Sequence, residues 1–191
     1  MSVAFRSKKV PTLDANLEAD GTESLYEIED GRVLELPNTS LLAGYVGRRI
    51  FLALHSYVAA NNLGVVVFEI VFLLDAARKL GRRPDVAFVS TARWPRDFEM
   101  PDEGHAVIVP DLAIEVISPR DRMVKVMRKL GEYFRYGVRE VWLVEPTEQM
   151  IYVYRALNRV QVLGPDDELD GGDVLPGFRL PIGPLFRKTL D

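Results

Sequence analysis

Apolar residues recur along the chain with two periods. "SLYEIEDGRVLEL" reads as two short strands around Asp30-Gly31, a pair that accepts the positive φ of a tight hairpin turn. "PNTS" breaks the pattern and offers a helix cap. From Leu41 to about Asn61, Leu42, Val46, Ile50, Leu54 and Val58 recur every four residues and share one helix face. "NNLG" ends that helix with residues that tolerate the left-handed conformation. "VVVFEIVFLL" is β-rich and predicts one or two strands; "DAARKLGRR" predicts a charged turn; "PDVAFVS" predicts a short buried strand. Residues 91–109, with Pro95, Pro101 and Gly104, read as a loop.

"DLAIEVI" is apolar on both faces, as expected of a central strand covered on both sides. "SPRD" predicts a helix start, with Ser118 as cap and Pro119 at the first helical position, running to about Tyr136 and stopped by Gly137. "EVWLVEP" is another buried strand, continued antiparallel by "MIYVYRA" and "RVQVLG". Residues 1–22 are polar and irregular. The order predicts an α/β fold: a mixed sheet flanked by two principal helices, preceded by an N-terminal β-hairpin. There is no repeat and no long linker, so residues 1–191 are expected to form one domain.

Composition narrows the chemistry. With no cysteine there is no disulfide, thiolate metal site or thiol nucleophile, which points to a reducing compartment. The two histidines, His55 and His105, exclude a His-rich zinc centre. "MSVAFRSKKV" lacks a signal-peptide core, and "GVVVFEIVFLLDAA" is too short to span a bilayer and contains Glu69. A cytoplasmic, membrane-free protein is expected. Net charge is −4, but its distribution is uneven. Residues 14–35 hold eight acids and one base, whereas residues 120–139 hold seven bases and two acids. An acidic chain can thus present one basic face.

Glu115 stands out. Alternation along the strand puts Asp111, Ala113, Glu115 and Ile117 on one face. A carboxylate among such residues is costly unless paired or bound to a cation. Asp85 opens a similar strand, and if the two strands are neighbours the carboxylates could converge on a divalent ion such as magnesium. The plainer alternatives are a turn-capping Asp85 and a structural ion pair for Glu115. On a helical wheel, Met123, Met127, Leu130 and Phe134 form a stripe, widened by Val126 and Tyr133. Lys129 lies at the edge of that side, with Arg122 close by. Lys129 is therefore the lysine best placed to reach back to the sheet, or else a snorkelling edge lysine.

"RRPDVAFVS", "PDLAIEVISPRDR" and "KLGEYFRYGVREVWLVEP", in that order, resemble the Uma-type restriction endonuclease family of the PD-(D/E)XK nuclease superfamily. "LYEIEDGRVLELP" and "DVLPGFRLPIGPLF" look like that family's ends, so the likeness covers about residues 24–186. The resemblance implies a restriction-endonuclease-like core and a magnesium- or manganese-dependent endonuclease acting on DNA. Carried over, Asp85 and Glu115 are the metal-binding acids, and Glu27 or Glu69 supplies a further one. The superfamily's lysine two residues after the second acid is Ile117 here; Lys129 matches a position to which that lysine has moved. A histidine common at the start of the family's first long helix is missing from "TSLLAGYV". Arg82, Arg83 and Arg122 are candidate phosphate contacts. By analogy with nucleases that pair two sites, a homodimer is expected. Two rival readings remain: a non-catalytic nucleic-acid-binding or regulatory module on the same fold, and a metal-dependent hydrolase of small phosphate esters.

Overall fold

The computed structural model describes residues 12–13, 25–95, 97 and 105–189. Most of the irregular segment expected at 1–22, and the middle of the loop expected at 91–109, lie outside the described residues. In chain order the elements begin with β1 (Thr12–Leu13), β2 (Tyr26–Glu29), β3 (Arg32–Glu35), α1 (Leu41–Ala60), β4 (Gly64–Phe68) and β5 (Phe72–Asp75). They continue with β6 (Leu80–Arg82), β7 (Val86–Ser90), β8 (His105–Ala106), β9 (Leu112–Val116), α2 (Met123–Arg135) and β10 (Glu140–Glu145). The chain closes with β11 (Met150–Ala156), β12 (Arg159–Leu163), β13 (Glu168–Asp170), β14 (Arg179–Pro181) and a 3₁₀ turn at Gly183–Phe186.

The principal sheet runs β12-β11-β10-β9-β7-β4. β9 and β10 pair in parallel and the other neighbours are antiparallel, which makes the sheet mixed. The parallel pair is joined by α2, because parallel strands need a long crossover. A second sheet, β1-β8-β5-β6-β2-β3, carries the N-terminal hairpin. That hairpin turns at Asp30 (φ 48°) and Gly31 (φ 77°), as the Asp-Gly pair predicts.

Alternation along β9 sorts its two faces. Leu112, Ile114 and Val116 pack with Val46, Ile50 and Leu54 of α1 in one core cluster. Ala113 packs with Leu130 and Tyr133 of α2 in another. The Ser40 hydroxyl caps α1 by accepting the Ala43 N–H at 3.2 Å. Among the described residues, no helix is long and apolar enough to cross a membrane.

Three expectations need correction. The segment 75–83 is not all turn: Leu80–Arg82 forms β6, and Arg82 is fully buried. Its guanidinium is neutralised by Glu132 at 2.6 Å, Glu27 at 3.4 Å and Glu29 at 4.0 Å, which makes burial tolerable. Arg82 is thus a structural cation, out of reach of a phosphate. The second helix starts at Met123 rather than after Ser118. Asp121 accepts the Ser118 N–H at 2.7 Å and donates its own N–H to the Ser118 carbonyl at 2.9 Å, closing a turn that holds the chain out of the helix. The buried stripe of α2 is also rotated. Leu130 and Tyr133 are buried, whereas Met123 and Met127 are 55% and 43% exposed.

The buried guanidinium generates a stability prediction. Arg82→Leu should cost roughly 3 kcal/mol or more, because it leaves Glu27 and Glu132 without their shared cation. Urea unfolding reads this directly, and a loss below about 1 kcal/mol would contradict it.

Candidate active site

β7 and β9 are antiparallel neighbours, with Val86 opposite Ile114. Each is entered by a Pro-Asp pair, and each aspartate ties the far end of the other strand. Asp85 Oδ2 accepts the Val116 N–H at 2.6 Å, and Asp111 Oδ2 accepts the Ser90 N–H at 2.8 Å. The two then differ in charge environment. Asp111 has Arg93 at 3.3 Å and Arg139 at 3.5 Å. Asp85 has no ion pair among the described residues and lines a cavity of about 220 Å³. Sequence spacing alone would treat them as equals.

Glu115 projects from the α2 face of β9 into the same cavity wall. Lys129 Nζ donates to it at 2.8 Å, and the Tyr133 hydroxyl donates at 2.6 Å. Lys129 also contacts Glu27 of the hairpin at 2.8 Å. Lys129 and Tyr133 are one helical turn apart, so both reach the sheet from one face. Tyr133 was legible only as an apolar member of the stripe; its spacing from Lys129 was the available signal. Glu27 rather than Glu69 joins the Lys129 cluster, and it also accepts the Arg83 N–H at 3.1 Å. Glu69 lines the same cavity without an ion pair among the described residues. It has a left-handed backbone (φ 52°) and donates its N–H to the Asp85 carbonyl at 3.2 Å.

The cluster has too much negative charge for its cations. Burial pushes the Glu115 carboxyl up to about 7; Lys129 pulls it down in part, while Asp85 and Glu27 push it up further. Burial likewise raises Asp85 to about 6, with the Val116 N–H and Lys129 opposing and Asp121 and Glu69 adding to the rise. Burial alone would discharge Lys129, but Glu115 and Glu27 outweigh it and hold the ammonium charged, above its ordinary range. Two carboxyls lifted toward neutrality are suited to a further cation.

Among the described residues no group of three His, Asp or Glu side chains could hold a metal ion. Two carboxylates, with water and phosphate completing the shell, is a pattern magnesium accepts. Asp85 and Glu115 fit it by their chemistry: hard, anionic oxygens beside an open cavity. The cavity rim is basic. Arg120, Arg122 and Lys125 line it, are exposed, and have no ion pair among the described residues. Arg83 lines it too, and its buried Nε lacks a hydrogen-bond partner among them. Arg120 and Lys125 are further exposed cations on this rim, beside the Arg83 and Arg122 singled out from the sequence.

The raised carboxyl has a sign that can be checked. Between its ordinary value of 4.5 and about 7, Glu115 binds more proton in the folded than in the unfolded chain, so its ionisation lowers stability as pH rises through that window. Unfolding free energies at pH 5 and pH 7.5 should fall by about 2–3 kcal/mol more in wild type than in Glu115→Gln. Equal slopes would mean that Glu115 is ionised throughout.

Residues 12–183 match the family model Uma2, described as "Putative restriction endonuclease". No curated protein matches the chain. Among solved structures, it is similar to the crystal structure of "a putative nuclease belonging to DUF820" from Anabaena variabilis ATCC 29413. The two are 24% identical with a TM-score of 0.75, over 92% of this chain and 97% of that one. At that identity the likeness establishes the fold: the mixed sheet between two helices is shared with that protein. With the family model matched along most of its length, the chain belongs to the Uma2 family of restriction-endonuclease-like proteins.

Proposed function

We propose that this chain is a metal-dependent nuclease that hydrolyses DNA phosphodiester bonds at the Asp85–Glu115 cavity. The observation that carries this reading is the pair of carboxyls, both raised by burial, beside a charged lysine at a cavity rimmed with unpaired bases. Asp85 and Glu115 would hold a magnesium or manganese ion. When bound, that ion supplies Lewis acidity toward a phosphate oxygen and acidifies a coordinated water.

The remaining roles belong to the chain itself. The Val116 N–H and the Tyr133 hydroxyl fix the two carboxylates before any ligand arrives. Preorganised groups of this kind avoid reorganisation during the reaction. Glu27 holds the Lys129 ammonium from the hairpin side, so it stays beside Glu115 and can donate to a phosphate oxygen or orient a water. Ile117 follows Glu115 on the same face, where the superfamily has its lysine; it packs in the α2-side core and leaves that position to Lys129. Arg83, Arg122 and Lys125 would seat flanking phosphates.

One observation favours the rival reading of a non-catalytic DNA-binding module. Both Glu115 oxygens are already engaged by Lys129 and Tyr133, which satisfies the carboxylate without a metal. Calorimetry separates the two. Magnesium or manganese titrated near pH 6.5 should bind wild type with release of protons from Asp85 and Glu115, visible as a heat that varies with the buffer's ionisation enthalpy. Asp85→Asn and Glu115→Gln should each remove that signal and lower plasmid cleavage by about a thousandfold, a scale set by loss of one electrostatic catalytic group. A folded wild type that binds DNA but neither binds metal in its presence nor cleaves would establish the non-catalytic module.

Phosphate seating has its own readout. DNA affinity should fall steeply with salt, and Arg122→Ala or Lys125→Ala should each reduce the slope of log K against log salt by about one. A flat salt response would rule out DNA as the ligand.

A further inference from the structure

A second cavity, of about 360 Å³, opens beside the first and shares Thr39, Glu69 and Asp85 with it as walls. We propose that it is a nucleobase pocket, which receives one unpaired base of the substrate strand next to the phosphate held at Asp85. The proposal rests on the nuclease reading above and specifies its substrate: DNA with a single-stranded or readily unstacked nucleotide at the site of cleavage.

Size and chemistry both favour a base. The volume lies within the roughly 300–1,000 Å³ of small-molecule sites. The outer wall is Phe68, which is 59% exposed at the end of β4. An aromatic ring left in water at a site mouth offers a stacking surface that accepts any base. Phe51 fixes that ring by a T-shaped contact, with centroids 5.2 Å apart and planes at 75°. Leu52, 44% exposed, adds a second apolar surface, and Arg48 brings a positive charge to the opening.

The floor is open for a reason packing does not provide. Gly44 and Gly47 lie inside α1, where glycine is the poorest ordinary helix former. A Cβ on Gly44 would meet only Thr39 Cγ2 at 3.8 Å, and one on Gly47 would meet Val116 Cγ2 at 3.6 Å. Both are ordinary contacts, so alanine would fit and would favour the helix. What glycine leaves instead is depth beneath Phe68. A base paired within a duplex could not enter; it would have to leave the stack first, at a cost that is least where the strand is already unpaired.

The test is equilibrium binding of a single-stranded DNA oligonucleotide, with calcium in place of magnesium, in a series lacking one base at a time. Wild type should bind the intact strand about tenfold more tightly than the strand lacking the base at one particular position, and about tenfold more tightly than the matching duplex. In Phe68→Ala that dependence should vanish, with the abasic strand bound as well as by wild type. Gly44→Leu, which fills the floor, should also lose the dependence while melting no lower than wild type. If base removal has no effect at any position, or both variants keep the full dependence, the pocket assignment is wrong and the nuclease reading stands. If wild type binds no DNA, the nuclease reading fails and the pocket assignment fails with it.

Discussion

The Lys129 ammonium, held between Glu115 and Glu27, joins three separated parts of the chain: the crossover helix, the central strand and the N-terminal hairpin. One turn along the same helix, Glu132 does the converse by accepting from the buried Arg82 of β6. α2 is therefore attached to the second sheet by charge as well as by its apolar stripe. Buried ion pairs of this type add little net stability over apolar packing, but losing one partner is expensive because the other is stranded. The register between hairpin and helix is thus fixed by electrostatics, and the site inherits that register.

The same arrangement gives the two Pro-Asp pairs different charge environments. Both aspartates accept a strand-end N–H, so their backbone roles are equivalent. Asp111 is neutralised by two arginines, from the segment after β7 and from the residue just before β10. Asp85 faces the cavity with Glu69 and Asp121 nearby, opposed by the Val116 N–H and by the charge of Lys129, with which it makes no ion pair. A half-buried carboxylate without a paired cation still favours one when ionised. Position in the fold, rather than residue type, separates the structural aspartate from the candidate ligand.

What could be read from the sequence follows from which interactions are periodic. The face of Glu115 came from strand alternation, and the reach of Lys129 came from the helical wheel, although the buried side of α2 is turned from Met123 and Met127 toward Tyr133 and Lys129 itself. The hairpin was legible from Asp30-Gly31 because few pairs accept its dihedrals. Arg82 was misread because a charged run ordinarily marks a solvated turn, and nothing local announces that carboxylates 50 and 55 residues away will neutralise it. The choice between Glu27 and Glu69 was equally non-local. The late start of α2 was missed for a local reason: Ser118 and Asp121 can close a turn on each other as readily as cap a helix, and Arg122 then takes the helix boundary with no side-chain cap.

The position after Glu115 on its face is apolar, and the cation beside the carboxylate comes from another element. Ile117 cannot supply an ammonium, and its backbone N–H is committed to the Val144 carbonyl at 2.7 Å. A lysine from α2 reaches the same carboxylate from above the sheet without altering β9. The consequence is a coupling that a strand-borne lysine would not have. Because Lys129 also binds Glu27, any displacement of the hairpin changes the charge beside Glu115, and any ligand that competes for Glu115 loosens the hairpin's tie to α2. The proposed chemistry and the architecture would draw on the same few charges, so a change to either at this site would reach the other.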